Sequence, residues 1–151
     1  LAVHPGSPNL LYAGVAGKGL AQSTNGGKDW NLFSEALKDY QGTADFRDFT
    51  LTPTGLIYAS RFGLLRTLDQ GKNWTKLPLI SNERDSNIYA LGINPKNLLE
   101  IYYGTRSTFY RSIDGGFNWI PRALPSTRAA TAILVDPENP EMVYLGVSRL
   151  R

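Results

Sequence analysis

One motif occurs three times at nearly constant spacing, and no other feature limits the fold as strongly. The copies are Ser23-Thr24-Asn25-Gly26-Gly27-Lys28-Asp29-Trp30, Thr67-Leu68-Asp69-Gln70-Gly71-Lys72-Asn73-Trp74 and Ser112-Ile113-Asp114-Gly115-Gly116-Phe117-Asn118-Trp119. They share the pattern Ser/Thr-x-Asp/Asn-x-Gly-x-Asx-Trp. Their tryptophans are 44 and 45 residues apart, and they account for all three tryptophans of the chain. A period of this size indicates a repeat architecture, in which each unit buries its apolar face only against its neighbours.

A second recurring element precedes each motif. It is an apolar stretch ending at x-Pro: Ala2-Val3-His4-Pro5, Leu51-Thr52-Pro53, Gly92-Ile93-Asn94-Pro95 and Leu134-Val135-Asp136-Pro137. Each is followed by a strand carrying tyrosine, at Tyr12, Tyr58, Tyr102 and Tyr144, with turn residues such as Gly6-Ser7-Pro8-Asn9 between them. One repeat therefore reads as four short strands: A ends at x-Pro, B carries the tyrosine, C runs into the Ser/Thr, and D begins at the Trp. Four strands in about 44 residues match a β-propeller blade. No window sustains the 3.6-residue period of a helical repeat; Ser34 to Tyr40 has room for one helical turn. The expected fold is an all-β propeller showing three blades and half of a fourth, over approximately 1-45, 46-88, 89-131 and 132-151, as one partial domain. The chain opens at Leu1 inside a strand, so a piece of a longer polypeptide is expected, with the remaining blades in the same or another chain.

Composition narrows the function. The net charge of +3 without a basic run argues against nucleic acid as a partner. There are no cysteines, which removes disulfides and thiolate metal sites. No apolar stretch approaches the roughly 18 residues of a membrane span. Phosphate-loop and dinucleotide motifs are absent, no carboxylate ladder has calcium-loop spacing, and the one histidine, His4, sits at a strand end without a partner set. No cofactor and no metal are expected.

In the motif, the third-position Asp/Asn can accept backbone N–H groups further along the turn. The fifth-position Gly supplies a positive φ, and the Trp ring is placed to insert between strands or blades. Ser23, Asn25, Gly27 and Trp30, with Thr67, Asp69, Gly71, Trp74 and Ser112, Asp114, Gly116, Trp119, are thus expected to be structural. These copies resemble the Asp-box, or BNR, repeat of sialidases, sortilin-type receptor domains, xyloglucan-cleaving propeller enzymes and photosystem II assembly factors. The pattern leading into the motif, clearest from Val135 to Gly146, resembles the last three more than the sialidases. The resemblance implies that the boxes lie away from the functional face. It also implies a secreted, periplasmic or lumenal setting.

The resemblance implies that the functional face is built from the B–C and D–A connections. The B–C segments bring Lys18, Arg61, Arg106 and Arg149, and the D–A segments add Arg47, Arg84 and Arg128. Blades arranged round an axis would direct several of these cations to one rim and attract anions. In the resembled families, sialidases hold a carboxylate with three arginines, and the assembly factors show a basic patch for a protein partner. No Arg-Ile-Pro segment of the sialidase kind occurs here. Asp39, Asp45, Asp48, Glu83 and Asp85 are the candidate acids for glycoside hydrolysis, which needs a carboxylate pair beside a sugar groove; Tyr40, Phe46 and Phe49 are candidate sugar platforms.

The reading that follows is a non-enzymatic binding or scaffolding module presenting one loop face to a protein or glycan. The alternative is part of a propeller glycoside hydrolase acting on polysaccharide.

Overall fold

A computed structural model describes residues 1–33, 35–80 and 87–149. It contains three four-stranded antiparallel meanders and a two-stranded hairpin. The first sheet is β1 (Ala2–His4), β2 (Ser7–Val15), β3 (Gly19–Ser23) and β4 (Asn31–Leu32). The second is β5 (Phe46–Leu51), β6 (Leu56–Ser60), β7 (Gly63–Thr67) and β8 (Thr75–Leu77). The third is β9 (Ala90–Asn94), β10 (Asn97–Gly104), β11 (Thr108–Ser112) and β12 (Ile120–Ala123). The hairpin is β13 (Ala129–Val135) and β14 (Val143–Ser148). This is the expected all-β arrangement of three blades and half of a fourth. The fourth strand of each full sheet starts one residue after its Trp. The Ser34–Tyr40 segment forms turns in its described part, with Leu37 N–H donating to Phe33 O at 3.0 Å, and no helix occurs among the described residues.

The chain divides into two compact units, Leu1–Lys76 and Leu77–Arg151. In the first, Leu10, Tyr12, Leu20, Leu37, Leu56, Tyr58 and Leu65 form the core, edged by Phe33, Phe46 and Trp74. In the second, Ala90, Tyr102, Ile133 and Val135 pack together with Phe109, Val143 and Leu145 around them. The repeated tyrosines Tyr12, Tyr58 and Tyr102 are buried, whereas Tyr144 is exposed.

The Tyr-x-Gly spacing has a steric cause in both units. A Cβ at Gly14 would overlap the Phe46 ring, and one at Gly104 would lie 2.5 Å from the Ala130 methyl. Only a bare backbone at the end of the second strand lets the next sheet's first strand come this close.

The three tryptophans differ in cover. Trp119 is 7% exposed. It packs edge-on against Tyr103 at 4.7 Å and donates its indole N–H to Pro78 O at 2.7 Å. Trp74 is half-buried and meets the edges of Phe33 and Tyr58 at 5.7 and 6.3 Å. Trp30 is 41% exposed; its indole N–H turns back to Gly27 O at 3.1 Å. The expected insertion is seen at Trp74 and Trp119, while Trp30 stacks on no ring among the described residues.

Trp119→Ala is expected to cost about 3–5 kcal/mol, the range for truncating a fully buried aromatic, and Trp30→Ala less than about 2 kcal/mol. Urea unfolding of the two variants checks this, and equal losses would contradict the difference in packing.

Candidate functional site

The repeated turns show what their residues do. In the second copy Thr67 Oγ1–H donates to Asp69 Oδ1 at 2.8 Å and accepts Gly71 N–H at 2.8 Å. The carboxylate then accepts Asn73 N–H at 2.9 Å and Asn73 Nδ2–H at 2.6 Å. In the third copy Ser112, Asp114, Gly116 and Asn118 repeat the set at 2.8, 2.8, 2.9 and 2.7 Å. In the first copy Ser23 Oγ–H donates to Asn25 Oδ1 at 3.0 Å, and Gly27 N–H donates to Ser23 Oγ at 2.9 Å. The polar pair is reversed there: Asn25 Nδ2–H donates to Asp29 Oδ2 at 2.7 Å, while Asn25 Oδ1 accepts Asp29 N–H at 2.9 Å. One carboxylate and one amide face each other in every copy, with their order exchanged. The fifth-position glycines have φ of 89°, 94° and 93°. The fourth position is also left-handed, so Gln70 (φ 59°) occupies a conformation that its neighbours in the repeat, Gly26 and Gly115, adopt without strain.

These bonds strongly favour the ionised carboxylates. The Asn73 backbone N–H, the Asn73 side-chain amide and then the Thr67 hydroxyl lower the Asp69 pKa to about 2. Asn118 and Ser112 act in the same order on Asp114, also to about 2. Each third-position side chain is engaged by donors of its own turn, which supports a structural role.

The opposite ends of the strands carry the predicted cations, and in the second unit three of them come together. Arg106, Arg128 and Arg149 line an open recess of about 400 Å³ with Thr127, Ala129 and Ser148. Strand register brings them there. Ala129 opposes Ser148 in the β13–β14 hairpin, so Arg128 and Arg149 flank the same end. Ala130 N–H donates to Thr105 O at 3.2 Å and draws in the 105–107 connection. Thr105 shapes that connection, its hydroxyl donating to Thr108 O at 3.1 Å and accepting Thr108 N–H at 3.2 Å. No acidic residue is among the recess's described lining.

The first unit treats its predicted cations differently. Lys18 lines a recess of about 260 Å³ with Phe33, Leu37, Lys38, Tyr40 and Thr43. Arg47 pairs with Asp45 at 3.2 Å, so Asp45 is neutralised locally. Arg61 is exposed and is anchored by its N–H to Asp45 O at 3.1 Å. Of the other candidate acids, Asp39 is exposed, and Asp48 Oδ1 accepts Phe49 N–H at 2.8 Å. Glu83, Arg84 and Asp85 lie outside the described residues. His4 is buried at the end of β1, with Nδ1 accepting Gly6 N–H at 3.2 Å in the turn that follows. No group of three metal-ligating side chains occurs among the described residues, and no described helix is long and apolar enough to cross a membrane.

One polar cluster escapes the sequence reading. Glu100, 7% exposed, accepts Asn94 Nδ2–H at 2.7 Å, Tyr102 O–H at 2.6 Å and Arg111 Nε–H at 2.6 Å. Burial pushes its pKa up, but the bonds from Tyr102, Asn94 and Arg111 outweigh that and hold it below the ordinary value. Burial and the bond to Glu100 push Tyr102 up to about 12, so it stays a neutral donor. The repeat column offered a signal: Leu10, Leu56 and Met142 stand where Glu100 does.

No model of a known protein family matches the chain, and no curated protein does. Among solved structures it is similar to the GH74 xyloglucanase from Xanthomonas campestris, at 17% identity and a TM-score of 0.73 over 97% of this chain and 27% of that one. It is also similar to YCF48 from Cyanidioschyzon merolae, at 18% and 0.61 over 87% and 45%. YCF48 bound to D1 peptide gives 18% and 0.50 over 85% and 39%. The fold is a β-propeller. The chain spans between 27% and 45% of the length of these three structures.

Acid sensitivity follows from the turns. Folding lowers the Asp69 and Asp114 pKa values from 3.8 to about 2, so between these pH values the unfolded chain binds more protons. The stability these carboxylates confer is complete above about pH 4 and is lost as pH falls towards 2. Asp69→Asn with Asp114→Asn should flatten the fall of Tm between pH 4 and 2; an unchanged slope in thermal melts would contradict this.

Proposed function

We propose that the chain is a binding module of the Asp-box propeller kind, without catalysis of its own, whose B–C and D–A connections hold an acidic segment of a protein partner. Residues 1-45, 46-88, 89-131 and 132-151 then act as successive blades of one propeller domain, and the boxes are its scaffold. The observation that carries the reading is the recess of Arg106, Arg128 and Arg149, with no acid in its described lining. An incoming carboxylate would meet planar donors from three arginines lining one recess. Lys18 and Arg61 are further cations on the connections of the first unit. YCF48, one of the similar folds, has been seen with a peptide, which fits a protein ligand.

A glycoside hydrolase would instead need two facing carboxylates, one of them kept protonated. Asp45 is paired with Arg47 and Asp48 accepts the N–H of its neighbour Phe49 inside β5, and neither arrangement supports that role.

An acidic peptide and a neutral xyloglucan oligosaccharide, titrated side by side, separate the two readings. The acidic peptide should bind and weaken with salt. Each of Arg106→Ala, Arg128→Ala and Arg149→Ala should cost about tenfold in Kd, the worth of one hydrogen bond to a charged group, at unchanged Tm. Binding and cleavage of the oligosaccharide with no affinity for the acidic peptide would overturn the proposal in favour of the enzyme.

A further inference from the structure

We propose that Asn25 is a site of spontaneous deamidation, gated by opening of the first turn, and that its product prevents the turn from closing again. Asn25-Gly26 is the one Asn-Gly step in the sequence, and a glycine at the following position leaves the attacking backbone nitrogen unhindered. Both residues are exposed.

In the closed turn both reacting groups are engaged. Gly26 N–H donates to Asn9 O at 2.9 Å, and the Asn25 amide is held between Asp29 and the Ser23 hydroxyl. Reaction therefore needs the turn to open. The strand that the turn ties down, β4, has only two register pairs, Ala21↔Leu32 and Gln22↔Asn31.

Once the turn is open, the Gly26 nitrogen gives up its proton and bonds to Asn25 Cγ. The Cγ–Nδ2 bond breaks and ammonia leaves with that proton, closing a succinimide. Water then adds to either ring carbonyl, leaving an aspartate or an isoaspartate; no oxidant or reductant takes part. Either product sets a carboxylate against Asp29 Oδ2, where the native turn has an N–H donor at 2.7 Å. Two like charges replace a charge-assisted hydrogen bond. Asp69–Asn73 and Asp114–Asn118 carry the carboxylate at the third position without conflict because an amide faces it. In the first copy the order is reversed, so the same change creates a clash.

The test uses the whole chain, aged at mildly alkaline pH in buffer and in urea, with peptide mass mapping of every asparagine. In urea Asn25 should convert faster than any other asparagine, and folding should slow it about tenfold or more, the factor set by local opening. Asn25→Asp should lower Tm by about 2–4 °C, and Asn25→Asp with Asp29→Asn, which rewrites the Asp69–Asn73 arrangement, should restore it. Asn25 as durable in urea as the other asparagines, conversion equally fast in both conditions, or Asn25→Asp as stable as the parent would each overturn the proposal.

Discussion

Each complete blade depends on one side-chain oxygen. Oδ1 of Asn25, Asp69 or Asp114 accepts a hydroxyl from the end of the third strand and a backbone N–H just before the fourth. That bridge sets where the third strand stops, forces two consecutive left-handed residues, and delivers the Trp to the start of the fourth strand. Fourth strands of two to four residues have little pairing of their own, so the bridge is what keeps them in the sheet.

The same constraint frees the other end of each sheet. Because the third-position side chains are already engaged by their own turns, they have little left to offer a ligand. The connections at the opposite strand ends are under no such demand. In the second unit they carry Arg106, Arg128 and Arg149 to one recess; in the first, Arg47 is drawn to Asp45 and Lys18 edges a mixed recess beside Lys38, Gln41 and Thr43. Scaffold and candidate site thus separate along the strand direction, and the basic loops can vary without disturbing the blade.

Strand order and blade number were readable because they rest on local chemistry repeated in register: x-Pro, the tyrosine, then Ser/Thr-x-Asp/Asn-x-Gly. What resisted reading depended on which neighbour a residue meets. Trp30 and Trp119 occupy the same column, yet one is 41% and the other 7% exposed, since cover comes from a different segment in each case. The pairing of Arg47 with Asp45 and the reversal of Asn25 and Asp29 also needed coordinates, although the exchanged letters were present in the motif. Glu100 was not legible because a strand acid reads as solvent-facing, while its partners, buried Asn94 and Tyr102 and exposed Arg111, come from three strands.

The separation of scaffold from site is tested most directly by NMR, following the guanidinium Nε–H signals and the turn amides together while an acidic peptide is added. The account predicts that Arg106, Arg128 and Arg149 shift together and saturate, while Gly71, Asn73, Gly116 and Asn118 stay in place. Shifts centred on the turn amides, with the three arginines unmoved, would contradict it.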